Sequence, residues 1–468
     1  MSSKFLERII EPLIVNLMQQ SKLPGLALSV IKDGKPFYAK GFGARNLKKN
    51  ILFDEDTLFG IGSISKSFAA LGIMQLVEQG KIDLQSPVKK YIDFRLGDKK
   101  NPIKVHHLLS HSTGLPELLG TIVAITRHLG FFENVIPMSS WDDYLLFING
   151  AGTEVIDIPD KRFFYNNDMF TCLGLIIEKV SGMRFEEYIR ENVLKPLGMN
   201  RSTYLREDYD NDNNAMTGYL PLDEEGNLKE SVPPNDKFVY APGGLLSSVN
   251  DLQNYLIALM NEGRQGQSQI LQKSSIDKMW TPYNKTPEDS SYGHGETWYG
   301  YGWMIEKDFF GYEVIQHGGN ILISSAMVAM IPEIKMGVVI GVNCDSSGLL
   351  GPLAHGILAI LLGKEINKAA PLLQVQNKLN KLVGKYTTYK GLQSLEIFLE
   401  NGILYAKIPY PYLPKPTILP LAPENIDELK FFVPIAFPGM KMKGQFFIDE
   451  KASEVRLLVE RYNFHKII

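Results

Sequence analysis

A serine and a lysine three residues apart, Ser63 and Lys66, stand where the chain passes from Leu58-Phe59 through Gly60 and Gly62 into a long apolar run. On a helix, positions i and i+3 share a face, so the amine comes within hydrogen-bond reach of the hydroxyl one turn away. A hydroxyl is a weak nucleophile at neutral pH until a base takes its proton. Lysine can be that base when burial or nearby positive charge lowers its pKa. The apolar run supplies the first condition, and the partial positive charge of a helix N-terminus the second. The chemistry is acyl transfer by a Ser-Lys pair. The same spacing recurs at Ser29–Lys32, Ser86–Lys89 and Ser275–Lys278. The first reads as strand, the second has Pro87 after the serine, and the third lies in a polar helix. Only Ser63 follows a glycine turn between a strand and an apolar helix. Read blandly, Ser63 is an N-cap and Lys66 a solvated residue, although the helix dipole disfavours lysine there.

Two further boxes could complete such a site. Tyr165-Asn166-Asn167 ends an apolar segment just before a helix, whereas the similar Tyr209-Asp210-Asn211 lies in a polar stretch. A phenol beside a lysine ammonium is expected to have a lowered pKa and to serve as general base or acid. An asparagine two residues on can bond the lysine or a substrate amide. The bland alternative is a core tyrosine followed by an N-cap. His317-Gly318-Gly319-Asn320 ends a strand-like run, and its glycines let another backbone approach closely. A backbone N–H there, paired with that of Ser63, would make an oxyanion hole. A similar His128-Leu129-Gly130 lies in the irregular region, and the alternative for His317 is a hairpin turn with an incidental histidine.

The elements that must position these boxes follow from pattern. Phe5, Ile9, Ile10, Leu13, Ile14 and Leu17 fall at helical spacing, an amphipathic helix and not a signal peptide. Leu26–Ile31 and Phe37–Ala39 read as strands joined by the hairpin dipeptide Asp33-Gly34. Pro116–Asp160 is apolar and weakly patterned, and with Asn284–Tyr299 is expected to wall a pocket. A helix follows the Tyr165 box, with Asn167 or Asp168 as its N-cap. Tyr301–Ile305, Tyr312–His317, Ser325–Ile331 and Met336–Val342 read as an antiparallel sheet, and Pro352–Leu362 as a closing helix. Beyond the connector Lys364–Asn380 the pattern is β throughout, with Asn401-Gly402 as a hairpin turn. The expected domains are residues 1–370 and a small all-β domain at 375–468.

The 468 residues are 44% hydrophobic and 22% charged, with a net charge of −3. Near-neutral charge gives no reason to expect nucleic acid or an anionic membrane as partner. Cys172 and Cys344 are the only cysteines, so there is no disulfide framework. The longest apolar stretch, Gly351–Gly363, is too short to span a bilayer. A cytoplasmic, soluble protein is expected.

The ordered boxes Ser-x-x-Lys, Tyr-x-Asn and His-x-Gly resemble the serine β-lactamase-like superfamily in its class C (peptidase S12) branch. That branch also holds penicillin-binding D-peptidases, D-aminopeptidases and carboxylesterases. The resemblance covers about Leu23–Gly363 and includes His107–Leu115, Pro196–Met199, Gly243-Gly244-Leu245 and Tyr301-Gly302-Trp303. The tail resembles a small lipocalin-like domain. The resemblance implies an α/β (α+β) fold: an antiparallel sheet flanked by helices, a helical subdomain, and a C-terminal barrel-like domain. It implies that Ser63 is acylated, that Lys66 and Tyr165 share the proton transfers, and that Asn167 positions Lys66 or substrate. His317 and Gly319 belong to the third box, and the Asn320 backbone supplies the second oxyanion donor. No metal or cofactor is implied. The substrate is a small molecule or short peptide, and a homo-oligomer is an option.

Two departures stand out. Lactamases carry lysine at the position of His317, and a neutral histidine is poorly suited to a substrate carboxylate. The usual Pro-Gly before the tyrosine box reads Pro159-Asp160. The expected activity is therefore hydrolysis of peptide amides, D-amino-acid-containing ones included, or of esters. Gly-x-Ser-x-Gly and His-Glu-x-x-His are both absent, which argues against an α/β-hydrolase or zinc hydrolase. The alternative is a catalytically weak scaffold or ligand-binding relative.

Overall fold

Asp33 and Gly34 turn the chain at φ +52° and +70°, as a two-residue hairpin with right-handed strand twist requires. The strands they join, Gly25–Lys32 and Lys35–Asn46, belong to a nine-stranded sheet. Its order is Asn284–Lys285, Thr297–Tyr299, Met304–Phe309, Tyr312–Asn320, Ser325–Ile331, Met336–Val342, Gly25–Lys32, Lys35–Asn46 and Ile51–Leu52. Every neighbouring pair is antiparallel. The computed structural model describes residues 2–131, 136, 138–221, 227–287, 295–400, 402–409, 414–434, 441–449 and 454–467. The chain divides into two compact units, Met1–Ala369 and Ala370–Ile468.

In the first unit the central strands are buried at nearly every position, so both faces of the sheet are covered. An antiparallel sheet with one wet face would alternate instead. Helices Val249–Met260 and Ser347–Leu361 pack on these strands. Helix Ser65–Glu78 is buried continuously from Ser65 to Leu76. It packs against Asn167–Ser181 and Lys237–Gly243 to form the helical subdomain. Among the expectations, Pro116–Asp160 is less irregular than its pattern suggests: it contains helices Gly120–His128 and Trp141–Gly150. Phe132 of that segment, and residues 288–294 of the other expected wall, lie outside the described residues. In the N-terminal helix Ser3–Gln20 only Leu6, Ile10, Ile14 and Leu17 are buried, and Phe5 and Ile9 face solvent.

One buried polar cluster ties the sheet to a covering helix. His355 Nδ1 lies 2.9 Å from the Gly351 carbonyl and Nε2 lies 2.9 Å from Glu306 Oε2. A carbonyl only accepts, so Nδ1 carries a proton. Gln316 Nε2 donates to the same oxygen at 3.1 Å. Removing one partner of such a buried pair is strongly destabilising. His355→Ala is therefore expected to destabilise the first unit by about 3–5 kcal/mol. All four tryptophans lie in that unit, so the shift of the denaturant midpoint by tryptophan fluorescence measures it. A midpoint within error of wild type would contradict a structural role for this buried pair.

The second unit is a closed antiparallel barrel of eight strands, in which Tyr386 pairs with Lys466 to join last to first. Alternate residues such as Ile397, Leu404, Phe431, Phe446, Leu457 and Phe464 point inward. Leu399 pairs with Leu404 across the hairpin at Gly402, and Asn401 lies outside the described residues. Helix Pro371–Leu382 adds Leu379 and Leu382 to this core. Among the described residues no helix is long and apolar enough to cross a membrane.

Candidate active site

Ser63 sits in a single 3₁₀ turn, Gly62–Ile64, and the α-helix begins two residues later at Ser65. Gly62 has φ +52°, and a Cβ there would lie 2.2 Å from the Asn320 nitrogen. A Cβ on Gly319 would lie 1.9 Å from the Ile61 carbonyl oxygen and 2.8 Å from the Ser63 nitrogen. These two glycines are thus required by one close backbone approach, which sets the third box beside Ser63. The strand carrying that box does not end at His317, as the pattern suggested. It runs on through Gly318-Gly319 to Asn320, paired with Ser325–Val328.

Lys66 is fully buried. Its Nζ lies 3.0 Å from Ser63 Oγ, 2.7 Å from Asn167 Oδ1 and 2.8 Å from the Pro242 carbonyl oxygen. Burial lowers its pKa to about 7, with Glu117 and Asp168 pulling the other way. A neutral amine has two N–H bonds and one lone pair. The asparagine and proline oxygens only accept, so the two N–H bonds point at them and the lone pair faces Ser63 Oγ. Pro242 is held in place because Leu245 N donates to Ser65 Oγ at 3.1 Å and Ile61 N donates to the Leu245 carbonyl at 3.1 Å.

The Ser63 hydroxyl acts on the Tyr165 phenol and favours its ionised form. Lys66 Nζ stands 4.8 Å from the Tyr165 ring centroid. The expected lowering of its pKa is reversed: burial raises it, the Ser63 hydroxyl opposes this, and the Glu117 charge adds to it. Tyr165 therefore rests as a protonated phenol. Asn166, not Asn167 or Asp168, caps the following helix, its Oδ1 accepting from Met169 N at 3.1 Å. This frees Asn167 for Lys66. Asp168 instead accepts from Gly120 N, Thr121 N, Thr121 Oγ1 and Tyr144 Oη.

His317 is buried against Tyr299. Nδ1 lies 2.6 Å from the Gly318 carbonyl, so it carries the proton, and Nε2 accepts from Tyr299 Oη at 3.1 Å. Burial, then the Lys66 charge, lowers its pKa to about 3. His317 thus offers neither a positive charge nor a free N–H. Asn320 Nδ2 donates to Asp345 and its Oδ1 accepts from Leu322 N.

The departure at Asp160 also has a structural answer. Asp160 holds φ +67°, the left-handed conformation glycine would adopt freely. Its carboxylate accepts from Ser112 Oγ at 3.0 Å and His107 Nε2 at 3.1 Å, which fastens the loop before the tyrosine box.

Pattern reading missed four contributors: Glu117, the Pro242 carbonyl, Tyr299 and His111. Glu117 follows the Gly114-Leu115-Pro116 turn but was hidden in a weakly patterned stretch. His111 is buried with φ +57°, and its Nδ1 accepts from Asn166 N at 3.1 Å. The other Ser-x-x-Lys pairs do not assemble. Ser29 donates to Gln253 and Ser86 to Asp83, and Ser275 and Lys278 lie on the separate helix Lys273–Met279.

Residues 10–360 match the family described as Beta-lactamase. The chain belongs to the beta-lactamase family. Residues 366–465 match the Pab87 octamerisation domain. The octameric penicillin-binding protein homologue from Pyrococcus abyssi is 37% identical with a TM-score of 0.85, covering 97% of this chain and 99% of its own. A D-stereospecific amidohydrolase from Streptomyces sp. is 26% identical with a TM-score of 0.56, covering 69% and 90%. Penicillin-binding protein 4* of Bacillus subtilis (strain 168) is 25% identical over 96% of each chain. The fold is that of the β-lactamase and penicillin-binding serine hydrolases.

Proposed function

We propose that this chain hydrolyses peptide amides, D-amino-acid-containing ones included, or carboxylic esters through an acyl-enzyme on Ser63. The observation that carries the reading is the aim of the buried Lys66 amine, with two acceptors fixed and its third direction at Ser63 Oγ. Neutral Lys66 takes the Ser63 proton as Oγ attacks the substrate carbonyl. The N–H groups of Ser63 and Asn320 receive the oxyanion, supported by the close approach of their backbones. Tyr165 gives its proton to the leaving group and is reprotonated from Lys66. Water then attacks the acyl-enzyme by the same path in reverse and releases the acid.

The neutral, blocked His317 favours substrates without a free carboxylate at the third box. The Streptomyces amidohydrolase likeness supports D-stereospecific amides as one class. The match to an octamerisation domain supports self-assembly through residues 366–465. The test is turnover of p-nitrophenyl esters, D- and L-aminoacyl amides and a chromogenic β-lactam, beside a peptide pair ending in D-alanine as free acid or amide. Turnover of esters or amides is expected, with the free acid no better than its amide. A tenfold preference for the free acid would contradict the role given to His317.

A further inference from the structure

Glu117 lies beside the Ser-Lys pair without touching the nucleophile. Its Oε2 accepts from the Asn167 backbone N at 2.6 Å and from Asn167 Nδ2 at 3.3 Å, and its Oε1 accepts from Leu119 N at 3.1 Å. An asparagine amide has an accepting end and a donating end, and either could face a lysine. A neutral lysine amine could then be met by N–H or by oxygen, with opposite results for its lone pair. At Glu117 both carboxyl oxygens already meet backbone N–H groups, so a donor is what this carboxylate can take from the side chain. Nδ2 must therefore face Glu117, and Oδ1 must face Lys66, where it lies at 2.7 Å.

We propose that Glu117 is a positioning residue for acylation: it fixes which end of the Asn167 amide meets Lys66, and so aims the neutral amine's lone pair at Ser63 Oγ. This rests on the reading of Ser63 as nucleophile and Lys66 as base. Glu117 is itself held by its surroundings. It follows Pro116, whose carbonyl accepts from Asn166 Nδ2 at 2.7 Å, and it precedes the helix that Asp168 anchors through Gly120 and Thr121. The segment bearing Glu117 and the helix bearing Asn167 are thus fastened together on both sides of the contact.

Glu117 also sets a charge near Lys66. The titratable groups around that amine are Glu117 and Asp168, which favour its protonated form, and His111, His317 and Tyr165. His111 and His317 are both held neutral by burial and by Lys66 itself, and Tyr165 stays protonated. Burial and then the Asp168 charge push the Glu117 pKa up, while the Asn167 and Leu119 backbone N–H groups and the Lys66 charge favour its carboxylate form. Losing the Glu117 charge removes a force that holds a proton on Lys66. The base form then persists to lower pH, and the acid limb of the rate profile moves down.

Two variants separate this role from simple capping of the Asn167 helix. Glu117→Gln keeps an oxygen that can accept from Asn167 but removes the charge. Glu117→Ala removes both. For Glu117→Gln, the acid limb of kcat/KM on an activated ester, and the Lys66 13Cε titration by NMR, are expected to shift down by about one pH unit. For Glu117→Ala, kcat is expected to fall about 100-fold with KM little changed, since misaim of a catalytic group costs rate and not affinity. A merely structural Glu117 would lower thermal stability in both variants and leave the pH profile in place. An unmoved limb and titration in Glu117→Gln, or wild-type acylation in Glu117→Ala, would overturn the proposal. If wild type itself is not acylated at Ser63, the proposed function fails. The NMR titration, read without turnover, then still decides whether Glu117 sets the state of Lys66.

Discussion

Lys66→Ala is expected to slow acylation of Ser63 by about 10³- to 10⁴-fold, the range for loss of a general base that acts within a catalytic unit. The effect is geometric before it is electrostatic. The amine is buried, has two fixed acceptors and meets Ser63 Oγ at 3.0 Å. Alanine leaves the Ser63 proton with no acceptor and also leaves the Asn167 and Pro242 oxygens unpaired. Burial holds the Lys66 pKa near its catalytic range, at about 7. The sign of the pH dependence follows: below that value the amine binds a proton and cannot take one from Ser63. In wild type kcat/KM should therefore fall about tenfold per pH unit as pH drops below about 7. The variant should lose that limb along with the rate. Pre-steady-state acylation by a p-nitrophenyl ester across pH 5–9 measures both. Near-wild-type acylation by Lys66→Ala would remove this lysine from the mechanism.

Much of the site could be read from local chemistry, because its parts sit at strained or punctuated positions. Gly62 and Gly319 stand where two backbones meet, and the meeting brings together boxes more than 250 residues apart. The Asp33-Gly34 and Gly402 hairpins were legible because turn geometry is decided within a few residues. The cap of the Asn167–Ser181 helix was not. Asn166, Asn167 and Asp168 are all good capping residues, and local sequence does not rank them. The choice is made from outside: Lys66 takes Asn167, and the Gly120–His128 helix takes Asp168. That helix was illegible for the same reason. Leu119 precedes it at φ +65° with no side-chain cap, and its N-terminus is held by a carboxylate 48 residues away. For Tyr165 the neighbouring lysine was visible in sequence, but the burial that raises its pKa was not.

Ser63→Ala carries the other large effect. Loss of the nucleophile removes the covalent path altogether, and turnover is expected to fall about 10⁶-fold, to what the oxyanion donors and binding alone provide. Neither Ser65 nor Ser67 can replace it. Ser65 Oγ accepts from Leu245 N, and Ser67 Oγ donates to the Ile64 carbonyl and accepts from Tyr255 Oη. Both are fully buried. The fold should survive, because Ser63 Oγ forms no part of the apolar core.

The central claim is that Ser63 becomes acylated, and intact-protein mass spectrometry after exposure to a fluorophosphonate or an activated ester tests it most directly. Wild type is expected to gain one covalent adduct per chain, mapped by peptide digestion to Ser63, and Ser63→Ala to gain none. An adduct of the same stoichiometry on Ser63→Ala, or one mapped to another residue in wild type, would contradict it.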